Sequence, residues 1–327
     1  MTPQEEKQIS EWNLGVKDNI QIRLILTADK RSAELREFCD ALSRFAPKIR
    51  IIKEKEEWAE LPAIQIGTGL RYHAAPSGTE LAPFLESLNI LASKSEQMPE
   101  HIREYLNKIE MPAMLRIYVS GQCPFCPVAL RQLAPLISAN DFIRLSVIDA
   151  FLFPEMAQDD NIQSVPTLLL EKHFRWTGSV PVEEVLKIIV TRNPADIGAE
   201  SMAQMIAEGN AFRLSDMMLE KETIFPAFVD LLTHEQFSVR LGAMAAMEEI
   251  AAQNISLARD IVEPLWVQFQ KQNEQIRGDI LHILGESADS NMLPRLKQIS
   301  EGQYNEDIRE TAQEAIEKIE KRKVKMS

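Results

Sequence analysis

Two thiols three positions apart, Cys123 and Cys126, form a C-x-x-C inside SGQCPFCP, residues 120–127. Such a pair can close a reversible disulfide, or it can supply half of a zinc site. The flanks bear on the choice. MLRIYV, residues 114–119, is a short apolar run with the character of a buried strand, and PVALRQLAPLI behind the motif places Val128, Leu133 and Leu136 at helical spacing. Strand, turn and a helix opening on the motif is the setting in which C-x-x-C carries redox chemistry. A thiol at a helix N-terminus faces unpaired backbone N–H groups and the positive end of the dipole, and both favour the reactive thiolate. Pro124 has no N–H to lose and presets the first turn. Cys126, one turn in, lies within reach of Cys123. A zinc site needs two more ligands at short spacing. The third cysteine, Cys39, is far upstream, and the five histidines, His73, His101, His173, His234 and His282, are scattered. The motif therefore reads as a redox dithiol, with no metal and no resident cofactor.

Downstream, SVPTLLL (164–170) puts Pro166 at the start of another apolar strand, where a ladder tolerates proline. Residues 111–190 together resemble a thioredoxin or glutaredoxin fold. CPFC is close to the CPYC of glutaredoxins. CPxCP followed by a V-P strand is similar to the tandem-thioredoxin proteins: the archaeal-type protein disulfide oxidoreductases and the N-terminal domain of the alkyl hydroperoxide reductase flavoprotein. The resemblance implies a cis proline opposite the dithiol, with Cys123 attacking and Cys126 resolving. It also implies a substrate-binding surface of Pro124, Phe125, Val165 and Pro166. Two departures stand out. Gln122 precedes Cys123 where glutathione-dependent glutaredoxins carry a basic residue, and the late turn is Thr177-Gly178-Ser179; both weigh against glutathione. Nothing after residue 190 carries G-x-G-x-x-G, so no nicotinamide-binding module follows. Electrons are expected from a separate thioredoxin-reductase-like flavoprotein.

The chain around the motif has 327 residues, enough for two to three domains at roughly 150 residues each. A net charge of −13 makes nucleic acid and anionic membranes poor partners. The N-terminal MTPQEEKQIS is polar and acidic, without an apolar signal region, and no run of about 18 apolar residues occurs. The expectation is a cytoplasmic protein.

Residues 20–95 alternate strand and helix signals: a strand over 20–26, a helix over 32–45 with Leu35, Phe38, Cys39, Leu42 and Phe45 on one face, strands over 49–53 and 61–67, and a helix over 80–92. The order matches 111–190, which predicts a duplicated fold. Where the second copy has its thiols, the first has TADKRSAEL, so the first copy is redox-silent and Cys39 reads as core. RYHAAPSGTEL (71–81) resembles the tandem family's strand-turn-helix segment, in which a glutamate lies near the dithiol. Glu80 matches that position and is also open to a plainer reading, a first-turn carboxylate facing the helix dipole. Gly67-Thr68-Gly69 is a turn between strands. Ser93 to Pro112 reads as a connecting helix, started by Pro99 and Glu100 and ended by Pro112. His173 and Trp176 fall on an edge strand past Pro166, either as ordinary strand residues or as the frame of a substrate groove.

From about 197 to 323 strand signals vanish. Segments starting at Pro226, Pro264 and Pro294 each carry a proline-led helix, a turn, and an aliphatic-Arg pair opening a second helix: Val239-Arg240, Ile276-Arg277 and Ile308-Arg309. They resemble HEAT-type repeats, with Ser201 to Leu219 as a leading helix pair; a plain helical bundle is the other reading. Met202, Met205, Met217, Met218, Met244 and Met247 cluster here, as core filling or as a partner groove. The expected fold class is thus α/β followed by all-α, in three domains. Residues 1–98 form a thioredoxin-like fold without active-site cysteines, 99–194 a second one with the CPFC site, and 195–327 a HEAT-type α-solenoid. The function expected is a cytosolic thiol–disulfide oxidoreductase acting on disulfide-containing client proteins through Cys123, Cys126 and Glu80. A non-catalytic redox-sensing scaffold is the alternative.

Overall fold

The computed structural model describes residues 1–55, 61–93, 98–171 and 174–326, with residues 324–326 described by backbone alone. The chain forms two compact units, Met1–Arg192 and Asn193–Ser327.

The first unit is built on one eight-stranded sheet. Its strands are β1 (Ile20–Leu26), β2 (Ile49–Lys55), β3 (Ala63–Ile66), β4 (Leu70–His73), β5 (Ala113–Val119), β6 (Ile143–Asp149), β7 (Thr167–Leu170) and β8 (Phe174–Thr177). They lie in the order β2-β1-β3-β4-β6-β5-β7-β8. Each half of that order repeats one pattern. In the first, β1 runs parallel to β2 and antiparallel to β3, which is antiparallel to β4; in the second, β5 bears the same relation to β6, β7 and β8. Short connections join the antiparallel neighbours β3–β4 and β7–β8, while the parallel pairs β1–β2 and β5–β6 are joined by the helical crossovers that the sequence places between them. The halves join where β4 runs parallel to β6, from Leu70 opposite Leu145 to His73 opposite Ile148. The boundary expected near residue 98 therefore lies inside this unit, between β4 and β5 in the chain, and the sheet runs on across it.

Helices cover the sheet: α1 (Pro3–Gly15), α2 (Ser32–Phe45), α3 (Leu81–Ser93), α4 (Glu100–Leu106), α5 (Cys126–Ala139), α6 (Pro154–Asp159) and α7 (Val182–Thr191). The apolar stripe of α2, Leu35, Phe38, Cys39 and Leu42, is buried as its spacing requires. One core runs through both halves, taking Leu24, Tyr72 and Phe84 from the first and Leu115, Leu133 and Val147 from the second. The connecting helix starts where expected and ends earlier than Pro112. Pro99 caps its start and the chain leaves the helix at Asn107. Helix α1 was not anticipated; Thr2 and Glu5 close a reciprocal capping box at its start.

At the end of β1, where the second half carries its thiols, the first half has an ionic cluster. Arg31 pairs with Asp29 and with Glu155, donates to the Leu152 carbonyl at 3.1 Å and lies 4.0 Å over the Phe153 ring. Arg31 holds the Asp29 carboxyl down to about 2. The turn thus ties the two halves together instead of presenting a nucleophile.

The second unit is helical throughout its described residues: α8 (Ala199–Ala207), α9 (Ala211–Glu220), α10 (Phe228–Leu232), α11 (Phe237–Gln253), α12 (Ile255–Ala258), α13 (Val262–Phe269), α14 (Glu274–Ser287), α15 (Leu293–Ser300) and α16 (Glu306–Met326). The proline-led segments form the pairs α10–α11, α13–α14 and α15–α16. Arg240 is buried, bonded to Asp279 at 2.6 Å and to the His234 carbonyl at 2.6 Å; Arg277 donates to the carbonyls of Phe269 and Gln270, each at 3.0 Å. Both arginines therefore tie down the turn before their own helix. Met202, Met205, Met218 and Met247 are buried, which makes them core. Among the described residues no helix is long and apolar enough to cross a membrane.

Candidate active site

Strand β5 ends at Val119, and a tight turn follows in which the Cys123 N–H donates to the Ser120 carbonyl at 2.9 Å. Helix α5 then opens at Cys126, with Pro127 in its first turn where no N–H is needed. The Cys126 backbone N–H points back at Cys123 and meets its Sγ at 3.2 Å. This is the helix N-terminus that the motif's spacing implies, with a donor aimed at the first sulfur. Cys123 keeps 7% of its surface exposed while Cys126 keeps none. Only Cys123 can be approached by a bulky disulfide. Both are free thiols.

The second wall comes from the start of β7. The Val165–Pro166 peptide is cis, and the Val165 carbonyl accepts from Cys123 Sγ at 3.5 Å. Pro124 is exposed and Phe125 is 68% exposed, so an apolar ring stands in solvent between the two cysteines in sequence. Val128, one turn on, is also exposed. Cys126 and Val165 thus meet the Cys123 sulfur directly, and Pro124, Phe125 and Pro166 adjoin them in the chain.

Glu80 arrives from the other half of the sheet. It ends a single 3-10 turn, Gly78–Glu80, before α3. Three contacts fix the turn. Gly78 has φ +58°, and a Cβ there would lie 2.6 Å from the Gly121 carbonyl, so only glycine fits. The Thr79 hydroxyl lies 3.1 Å from the carbonyls of both Gly121 and Cys123. The Gly78 N–H donates to Glu5 Oε1 of α1 at 2.8 Å. Glu80 itself is 4% exposed, and neither carboxylate oxygen has a hydrogen-bond partner among the described residues. Burial, then the nearby Asp149 carboxylate, push it up to about 7, against a smaller pull from Arg131. The Cys126 thiol is also pushed up, first by burial, next by its bond with Cys123, and further by the charges of Cys123 and Glu80. A buried acid whose ionisation falls near neutrality, electrostatically coupled to a buried thiol, has the properties of a proton acceptor.

The remaining candidates lie apart. Cys39 is buried in the α2 core and held up to about 12 by desolvation, which makes it inert. Trp176 packs in the core and donates to Glu184 at 3.0 Å, as an ordinary strand residue does; His173 lies outside the described residues. No group of three His, Cys, Asp or Glu suited to a metal occurs among the described residues. Three contributors escaped the sequence: Glu5, Thr79 and Asp149. For Glu5 the signal was present, since T-x-x-E at Thr2 to Glu5 is a capping box.

Comparison with known proteins agrees with the fold. Residues 114–191 match the family model described as thioredoxin domain. A curated NADH dehydrogenase of Bacillus subtilis is 22% identical over 184 residues, covering 55% of this chain and 36% of that protein. An alkyl hydroperoxide reductase protein of Staphylococcus aureus is 22% identical over 188 residues, covering 56% and 36%. The chain thus spans little more than a third of these relatives. Among solved structures, the N-terminal domain of the alkyl hydroperoxide reductase AhpF from Enterococcus faecalis superposes with a TM-score of 0.51 at 20% identity, over 58% of this chain and 99% of that one. A protein disulfide oxidoreductase from Aeropyrum pernix gives 0.53 at 14% identity, over 58% and 92%. Residues 114–191, dithiol included, are a thioredoxin-fold domain.

Proposed function

We propose that the chain is a cytosolic thiol–disulfide oxidoreductase whose first unit is a tandem of two thioredoxin folds, the second active and the first silent. The observation that carries it is the layered dithiol: an approachable Cys123 beneath the Val165 carbonyl, a buried Cys126, and a buried Glu80 with an ionisation near neutrality. The Cys123 thiolate attacks a client disulfide, forming a mixed disulfide and releasing one client thiolate. Cys126 then gives its proton to the Glu80 carboxylate, and the resulting thiolate attacks Cys123 Sγ. The second client thiolate leaves, and Cys123–Cys126 is oxidised; two electrons have passed to the client. A separate flavin-dependent dithiol reductase restores the pair. Pro124, Phe125, Val165 and Pro166 form the surface against which the client chain lies. The second unit is a HEAT-like stack that contributes recognition of client or reductase, supported by its three helix pairs and by Arg240 and Arg277, which tie down the turns before α11 and α14. Among its described residues it carries no paired catalytic constellation of its own.

The test is reduction of insulin or an aromatic disulfide with a dithiol reductant. Cys123→Ser abolishes turnover, while Cys126→Ser attacks once and stalls as a mixed disulfide. Full activity in Cys123→Ser would sink the proposal. A non-catalytic redox sensor, by contrast, would take up one equivalent of disulfide without cycling.

A further inference from the structure

The first turn of α1 stands off from the rest of the first unit. A cavity of about 240 Å³ separates it from α2 and from the chain that follows β4. Met1 and Glu5 line one wall, Phe38 and Ala41 of α2 a second, and Pro76 and Ser77 a third. The helix meets the core further along, through the fully buried Ile9 and the half-buried Trp12. Apolar burial thus holds the middle of α1, and its first turn depends on polar contacts. The Glu5 carboxylate is gripped from two sides. Oε2 accepts from the Thr2 N–H at 2.7 Å within the capping box, and Oε1 accepts from the Gly78 N–H at 2.8 Å across the edge of the cavity. The capping box fixes one oxygen and leaves the other to bridge the gap. The turn it reaches is three residues long, starts at the left-handed Gly78 and ends at Glu80. Its opposite edge rests on the dithiol turn. There the Thr79 N–H donates to the Gly121 carbonyl at 3.2 Å, and a Cβ on Gly121 would lie 3.2 Å from the Ser77 carbonyl.

We propose that α1 is a strap and Glu5 a positioning residue: by holding the Gly78 N–H it presses the turn onto Gly121 and keeps the Glu80 carboxylate at the resolving thiol. The inference rests on Glu80 acting as the base in the reaction above. It gives the first half of the sheet a second part in resolution, played by a helix with little core of its own. Releasing the strap lets the turn swing away from Gly121 and admits water to Glu80. That weakens the burial that raises the Glu80 carboxyl, and so lowers the pH at which it ionises. The charged groups acting on Glu80, Asp149 of β6 and Arg131 of α5, stay in place when Glu5 is changed. Glu34 and Glu37 of α2 line the same cavity as Glu5, so removing its charge also relieves repulsion there. Substitutions at Glu5 must therefore separate the hydrogen bond from the charge.

The test uses the full-length reduced protein mixed with one equivalent of 5,5′-dithiobis(2-nitrobenzoate). The first release of thionitrobenzoate reports attack by Cys123, and the second reports resolution by Cys126. Glu5→Ala is expected to leave the first release unchanged, to slow the second several-fold and to move its pH midpoint towards acid. Glu5→Gln keeps an acceptor for the Gly78 N–H without the charge, and should restore most of the second rate. In a Glu80→Gln background Glu5→Ala should slow resolution no further, because the strap acts through the acid. A second release and pH profile equal to wild type in Glu5→Ala, while Glu80→Gln slows that step, would overturn the strap and leave the base standing. Equal slowing in Glu5→Gln and Glu5→Ala would overturn it as well, since charge and not the bond would then matter. So would an undiminished effect of Glu5→Ala in the Glu80→Gln background. An unchanged second release in Glu80→Gln alone would remove the base itself, and this inference with it. Should Glu5→Ala fail to fold, Glu5→Asp decides. It keeps the charge but is one methylene short of Gly78, so slowed resolution supports the strap and a wild-type rate overturns it.

Discussion

The Thr79 hydroxyl lies 3.1 Å from the carbonyl of Cys123, tying the turn that carries Glu80 to the residue whose sulfur is approachable. The bond crosses from one half of the sheet to the other, so the position of the acid relative to the thiols does not depend on core packing alone. Thr79→Val removes this donor but keeps the Thr79 backbone bond to the Gly121 carbonyl. The expected loss of stability is about 1 kcal/mol or less, because the site is exposed. Resolution by Cys126 should slow more than attack by Cys123. Stopped-flow release of thionitrobenzoate separates the two.

Gly78→Ala tests the same turn from its backbone. A left-handed φ costs an L-residue about 1–2 kcal/mol, before any clash with the Gly121 carbonyl. Thermal melting should fall, and the loss in resolution rate should exceed that of Thr79→Val, since the whole turn must shift.

Glu80 makes stability depend on pH in a stated direction. Its carboxyl is raised to about 7 in the folded chain, against the ordinary carboxylate range when unfolded. Between those values the folded state binds more protons, so stability is full below the unfolded value and is lost as pH rises through about 7. Glu80→Gln stays neutral throughout. Its melting temperature should match wild type in acid and exceed it increasingly up to and just beyond neutrality. A constant difference across that range would mean that Glu80 is not the titrating group.

A chain ending at Pro194 should fold and still reduce a small disulfide, because the dithiol, Glu80 and all eight strands lie before Arg192. Arg192 must be kept. It is buried, donates to the Pro112 carbonyl and faces Glu171 at 3.4 Å. Ending at Val190 should therefore cost solubility or several degrees of melting temperature. Capture by the Cys126→Ser form in lysate, compared between full-length and truncated chains, reports whether the helical unit contributes recognition.

In that helical unit Arg240→Met removes the partner of Asp279 and of two turn carbonyls. Breaking a buried ion pair from one side costs about 3 kcal/mol. Urea denaturation should show the loss, while disulfide reduction below the transition stays at the wild-type rate.

The dithiol, its helix and the proline-led β7 were legible because each is local: a run, a turn and a helix stripe within a few residues. The succession of strands and helices along each half was legible for the same reason. The β4–β6 junction was not. Alternation identifies a strand and its buried face, yet pairing Leu70 with Leu145 is a long-range choice made by the summed core. Asp149 was missed for a related reason; a single acid ending a strand acquires meaning only when another segment folds over it. Helix α1 is different. Its capping box was readable, but its apolar content is sparse, with Ile9 alone fully buried, so periodicity gave no signal.

The β4–β6 ladder also bears on how the chain could be divided. A cut between α3 and α4 would yield one fragment holding the sulfurs and another holding the carboxylate, each with an uncovered strand edge. Resolution would then become a bimolecular property. The mixed fragments should regain it only as they reassociate along β4 and β6, in proportion to their concentrations. What the natural linkage contributes is effective concentration: acid and thiols are delivered together at any dilution. The fragments could thus serve as a reporter of proximity, slow to resolve a mixed disulfide apart and faster when brought together.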